Sequence, residues 1–444
     1  MLDIRPVEEL RSVSSRPEAQ MSRACLVAVW LVQVMLVLSV IPWRRDAIFD
    51  GGLDPTVVGK ALVAVGALLV VVLIARTSSR RYPIGLGPTV LIAFVTIVSL
   101  LGAFVAGDAM STIVLTVRVA IVVITILLLL RVVSWEVGVG SLLAAMGAVA
   151  LIAGVTGVPS LISEGRLAGG VPQLHPNPLA ELAGAPLVWL AVQILRRGVR
   201  IWWALSFLML LAIIIGTGSR TAVIALTLAL AVAVMVNGIQ NRSVVYLLLV
   251  SAPVLYAFTV LSDAIQQLAT RAGSTDTTST LEARFVAWRV VLGWSWTAWE
   301  KWIGVGLATK TVPVDARWHD EQVLDSSWVS ILAQSGVLGV TLMGVIVVWC
   351  VITAVTSKRR RWLVLPLLVL VLTRSITESG LMDGAMPFVQ LLVCATVLTR
   401  RSRHSGRLDV CESPGVEELR RAADDSLERC SASRAPRERS AEKQ

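Results

Sequence analysis

Charge is scarce in this chain. Only 16% of its 444 residues are Asp, Glu, Lys or Arg, while 55% are hydrophobic; a soluble domain carries roughly 25% charged residues. Histidine and cysteine are few as well, at three and five. His175, His319 and His404 lie far apart and no cysteine pair has ligand spacing, so the sequence presents no metal constellation. Cys25, Cys350 and Cys394 sit in apolar runs, Cys411 and Cys430 sit in the C-terminal tail, and none falls in the longest polar loop. That distribution argues against a disulfide framework. Strand-period alternation is missing, and with it the strand, glycine loop and helix that cradle nucleotide phosphates. No fixed-period repeat stands out.

What the chain has instead is long uncharged runs. They lie at roughly 24–42, 57–75, 88–106, 112–130, 135–158, 178–195, 201–216, 220–237, 243–261, 326–356, 362–379 and 384–399. Each approaches the ~20 residues that cross a ~30 Å hydrocarbon layer as a helix. With a mean hydropathy of +0.76, the sequence reads as an all-α polytopic membrane protein of about twelve spans, and a soluble enzyme is excluded. The first run follows about 22 polar residues without a small-residue cleavage site, as expected of a retained span.

The net charge of +10 is a topology signal, and no nucleic-acid partner is expected. Alternate short connections carry Arg76, Arg80 and Arg81; Arg131; Arg196, Arg197 and Arg200; Arg242; and Lys358, Arg359, Arg360 and Arg361. The opposite set carries only Arg44, Arg45, Arg166 and Arg220. The positive-inside rule then puts both termini in the cytoplasm and the 262–325 loop outside. The expected organisation is a cytoplasmic segment 1–22, a membrane bundle 23–261, the extracytoplasmic loop 262–325, a second membrane segment 326–400, and a charged cytoplasmic tail 401–444. Low hydrophobicity marks that tail as disordered. Within the loop, 263–280 reads as linker, followed by a helical stretch Leu281–Trp302. Seven of the fifteen tryptophans fall between Trp288 and Trp328. Tryptophan prefers the membrane–water boundary, so this stretch is expected to lie there as an interfacial helix.

Ionisable groups in or beside the membrane are costly, and each is a functional candidate. Arg220 lies in Gly216-Thr-Gly-Ser-Arg-Thr-Ala, a break whose donors could cradle an anion at a helix start; a snorkelling arginine is the plainer alternative. Arg284 and Arg289 could grip a lipid-borne phosphate bidentately, or merely meet anionic headgroups. Arg118 is free to pair with a bundle carboxylate such as Glu181 or Glu378, and Arg374 with Glu378 one turn on. Asp325, at the lip of the tenth run, fits a general base or a helix N-cap, with His319 as the alternate base.

These segments together resemble the O-antigen ligase and polymerase family. Ser219-Arg220-Thr221-Ala222 resembles that family's Ser-Arg-Thr/Gly-Ala break. Arg284 through Gly304-Val305-Gly306 resembles its arginine and tryptophan helix ending in Gly-x-Gly. Asp325 through Gly336-Val-Leu-Gly339 resembles the segment that follows, with Asp325-Ser326 standing where ligases show His-Asn and Gln334 where Glu is frequent. Arg166-Leu-Ala-Gly-Gly and His175-Pro-Asn-Pro resemble its Arg-x-x-Gly…Pro-Asn segment. The resemblance spans about 160–345. It implies a metal-independent glycosyltransferase of the plasma membrane without cofactors. Such an enzyme would move a glycan from an undecaprenyl-diphosphate carrier to an acceptor sugar on the outer face. Arg220, Arg284 and Arg289 would then hold the diphosphate, with Asp325 or His319 as base. The rival is a transporter or flippase of a lipid-linked or anionic solute, which calls for paired broken helices in related halves; the sequence displays no such symmetry.

Overall fold

The computed structural model describes residues 22–43, 55–78, 81–238, 285–316 and 319–400. The ninth apolar run, the 263–280 linker, Arg284, the N-terminal segment and the 401–444 tail lie outside the described residues.

The fold is all-α and polytopic. In chain order the helices are α1 (Arg23–Val40), α2 (Pro55–Thr77), α3 (Gly87–Ala106), α4 (Ala109–Val132), α5 (Trp135–Thr156), α6 (Val158–Glu164), α7 (Pro176–Arg197), α8 (Ile201–Gly216) and α9 (Arg220–Asn237). After the gap come α10 (285–292), α11 (Trp299–Ile303), strands β1 (Thr311–Ala316) and β2 (His319–Val323), α12 (Ser327–Thr356), α13 (Arg361–Ser375) and α14 (Met386–Thr399). Eight of these, α1–α5, α7, α9 and α12, are long and apolar enough to cross a membrane. Three expected spans appear as shorter helices, α8, α13 and α14, of 16, 15 and 14 residues, α8 and α14 being apolar.

Their boundaries follow local chemistry. Ser134 caps α5 by accepting the Val137 N–H, α7 opens on Pro176 where a missing N–H costs nothing, and α3 stops at Gly107 with φ 84°. Helix α7 is the centre of the bundle: 78% of its apolar window is buried, against 17% for α2. It packs on α5, α8, α9 and α13. The outer helices turn Leu62, Leu69, Leu73, Ile97 and Val348 outward, an apolar surface that belongs in hydrocarbon.

The two ends of the bundle are chemically distinct. At one end Tyr82 donates its N–H to the Arg131 carbonyl, Arg196 lies 4.0 Å above the Trp362 ring, and Arg360 donates to the Leu398 carbonyl. The other end gathers the connections after α1, α3, α5, α8 and α13, and it holds the candidate site.

Two elements depart from the sequence expectation. Helix α12 is broken at Gly336 (φ 64°, ψ −166°). The break frees the carbonyls of Ala333 and Gln334, which accept from Val305 N–H (2.8 Å) and Gly306 N–H (3.2 Å), while Ser99 Oγ adds 2.9 Å to Gln334 O. The chains approach so closely that a Cβ on Gly304 would sit 2.3 Å from Ser335 N, and one on Gly336 2.2 Å from the Trp302 carbonyl carbon. The Gly-x-Gly of 304–306 and the glycine of 336 are therefore two halves of one contact. Second, 311–323 forms an antiparallel hairpin, paired from Thr311–Val323 at one end to Ala316–His319 at the other. Strand alternation was hidden because the flanking apolar runs dominate the pattern.

The expected helix over Leu281–Trp302 is also split. Helix α10 ends before a turn at Gly293, and α11 resumes at Trp299. Ala287 and Val291 of α10 pack with Val312, Leu324, Val329 and Leu332, so α10 lies on the hairpin and on the first half of α12. Its opposite face, Phe285, Arg289 and Leu292, is exposed along with Trp296 and Trp302. That face, at i, i+4 and i+7, has the composition of an interfacial helix.

Candidate active site

The site begins with the break between α8 and α9. Gly218 adopts φ 63°, and the Thr217 carbonyl accepts from Arg166 Nε at 3.0 Å. The chain at Arg166 also runs against the break, since the N–H of the next residue, Leu167, donates to the Gly216 carbonyl at 2.8 Å. Two arginines thus meet the turn: Arg166, half-buried along it, and Arg220, exposed in the first turn of α9. The N-terminus of α9 adds positive potential from its aligned peptides.

Directly opposite is the end of α13. Glu378 accepts from Asn177 Nδ2 at 2.9 Å and from Thr221 Oγ1 at 3.4 Å. Its backbone carbonyl accepts from both Ser327 N–H (3.0 Å) and Ser327 Oγ (2.7 Å). Arg374, buried one turn earlier, donates Nη2 to the Asn177 carbonyl at 3.1 Å. Its Nε and Nη1 are buried with no hydrogen-bond partner among the described residues. Glu181 lies one turn beyond Asn177 on α7 and shares the electrostatic field of Arg374, Glu378 and Asp383. Arg374 and Glu378, expected to pair with each other, thus both hydrogen-bond to Asn177.

A second charged group flanks it. Lys310, just before β1, pairs with Asp383 in the α13–α14 connection. Burial pushes the Asp383 carboxyl up, but the Lys310 ammonium and its hydrogen bond, with Arg118 behind it, hold it below its ordinary value of 3.8. Arg118 itself donates to the carbonyls of Ser39 (3.1 Å) and Val40 (3.0 Å). The sequence expectation of a Glu181 or Glu378 partner gives way here. The C-terminal carbonyls of α1, which carry partial negative charge, take its Nη2, and the carboxylate that acts on it is Asp383.

Asp325 is half-buried and lies one residue before Ser326, which occupies the N-cap of α12 without a side-chain cap bond. Asp325 thus stands one residue before the N-cap, and the first N–H of the helix goes to the Glu378 carbonyl. His319 occupies the far end of the hairpin, paired with Ala316. Roughly 15–20 Å of extended chain, at ~3.3 Å per residue, separates it from the base of the hairpin where Asp325 lies. Arg289 is exposed on α10 and has no described link to the break at Gly218. Sequence inspection singled out Arg220 and Asp325 but passed over Asn177 as a ligand of Glu378, and over Lys310 and Asp383 altogether. Their signal was charge at the ends of apolar runs. Among the described residues no group of three or more His, Cys, Asp or Glu is placed to hold a metal ion.

The class that these features define is a multi-pass membrane protein whose polar centre lies at one end of the bundle, rich in guanidinium and carboxylate groups. Such a centre suits chemistry on an anionic substrate delivered within the membrane. Residues 204–344, from α8 into α12, match the family model described as O-Antigen ligase. That stretch is therefore similar to the O-antigen ligase family. No curated protein matches the chain.

Proposed function

We propose that this protein transfers a glycan from an undecaprenyl-diphosphate carrier to a hydroxyl of an acceptor sugar, on the outer face of the plasma membrane and without a metal. The observation that carries the reading is the meeting of the α8–α9 break, leading into Arg220 and held by Arg166, with the start of α12, beside Asp325, across Glu378. In the reaction the acceptor oxygen bonds to the anomeric carbon, and the bond from that carbon to the diphosphate oxygen breaks. The leaving lipid diphosphate gains negative charge, which guanidinium groups stabilise. The acceptor proton passes to the Asp325 carboxylate. Arg220 takes the diphosphate with Arg166 beside it; Arg284 and Arg289 take it or the surrounding headgroups as the chain enters the interface.

Arg220→Lys separates this reading from a snorkelling role. A guanidinium fork matches paired phosphate oxygens and an ammonium does not. Purified Arg220→Lys protein in lipid nanodiscs is expected to lose most transfer from an undecaprenyl-diphosphate glycan while accumulating normally in the membrane. Near-normal turnover would return Arg220 to a lipid-facing role. Deleting the gene and sizing the envelope glycans then divides the family's two activities: shortened chains indicate a polymerase, full-length unattached chains a ligase.

A further inference from the structure

Glu378 holds both halves of the proposed site. Its carboxylate accepts from Thr221, the residue after Arg220, and its backbone carbonyl accepts twice from Ser327, two residues after Asp325. The carboxylate is held in turn by Asn177 Nδ2, whose own carbonyl is held by buried Arg374. Four helices, α7, α9, α12 and α13, are therefore pinned to one another through one side chain and one carbonyl.

Resting on the transfer reading above, we infer that Glu378 is a positioning residue that sets the separation of Arg220 and Asp325, and so the approach of acceptor to donor. A group that fixes geometry without exchanging protons needs only an acceptor oxygen. Glutamine supplies one, and its Oε1 can receive both Asn177 and Thr221. Alanine supplies none. The effect of losing such a constraint falls on the chemical step, since small misplacements of reacting groups cost far more in rate than in binding.

The test uses the full-length protein in nanodiscs. Glu378→Ala is expected to lower kcat by about tenfold or more, an amount consistent with loss of orientation, with binding of undecaprenyl diphosphate unchanged. Glu378→Gln should restore most of the rate. Thr221→Val should lower kcat less, and the Glu378→Ala, Thr221→Val double variant should add nothing to Glu378→Ala alone, because both remove one interaction. A second measurement does not depend on activity: spin labels at Arg220→Cys and Asp325→Cys, with the native cysteines replaced, report their separation by pulsed electron resonance. The distance distribution should be narrow with Glu378 or with Glu378→Gln, and broad with Glu378→Ala. An unchanged distribution in Glu378→Ala overturns the inference whatever the activity, as does a Glu378→Gln variant as slow as Glu378→Ala, which would make the carboxylate a proton acceptor. Broadening in Glu378→Ala, together with no glycan transfer by the unlabelled wild-type protein, would keep the bracket and remove the transferase reading.

Discussion

At Asp325 the structure turns two competing roles into a clean experiment. Asn and Asp cap helices almost equally well, so Asp325→Asn would be nearly silent for a cap. The cap position belongs to Ser326, and the first N–H of α12 is bound by Glu378. A carboxylate that accepts a proton is lost on conversion to the amide, so Asp325→Asn is expected to lower transfer by roughly 10² or more, the usual scale of general-base loss. Initial rates on purified protein check this. Wild-type rates in Asp325→Asn together with abolished transfer in His319→Ala would move the base to the far end of the hairpin. The residue types were legible from the start, because an aspartate at the lip of a membrane helix is conspicuous in an apolar chain. Which of its neighbours cap the helix was not legible, since the capping carbonyl comes from a residue 51 positions away.

The elements were legible in proportion to their hydropathy. Among the described residues the long apolar runs are helices close to where they were expected, because length and apolarity alone determine whether a segment can cross a bilayer with its backbone satisfied. The break in α12 was invisible to that measure, as Gly336 sits in an apolar run as any glycine might. Its conformation exists because Val305 and Gly306 offer N–H groups to the freed carbonyls. Gly336→Ala should therefore be strongly destabilising. It adds a Cβ 2.2 Å from the Trp302 backbone and strains a residue at φ 64°, a conformation that alone costs on the order of 1–3 kcal/mol. Gly344→Ala, in the same helix with nothing within 4 Å of its Cβ, should be neutral or slightly stabilising, because alanine is the better helix former by about 1 kcal/mol. Thermal melts of the detergent-solubilised variants compare the two, and equal melting temperatures would show that the break is not structurally required. The split of 281–302 into two helices has a similar origin: Lys301, buried, turns back to donate Nζ to the Leu292 carbonyl at 2.7 Å and ends α10 there.

At the scale of the whole molecule the loop charges predict that the end bearing the site faces outward. Single-cysteine labelling of intact cells with an impermeant thiol reagent tests this: Ser274→Cys should label and Ser405→Cys should not. Labelling only at Ser405→Cys would invert the topology and put the candidate site on the cytoplasmic side. The membrane class, the order of the apolar helices and the inequality of charge between alternate connections were determined by the sequence by itself, because hydropathy and loop charge are local properties summed over neighbours in the chain. The site was decided only by the tertiary structure. Asn177, Thr221, Ser327 and Glu378 are separated by up to 201 residues where they hydrogen-bond, and Asn177, Arg374 and Glu378 lie outside the stretch 204–344 that matches the family. Buried polar groups must find partners or lose their hydration uncompensated, and which partners come within reach depends on how the helices pack against α7, a relation that no local pattern of residues encodes.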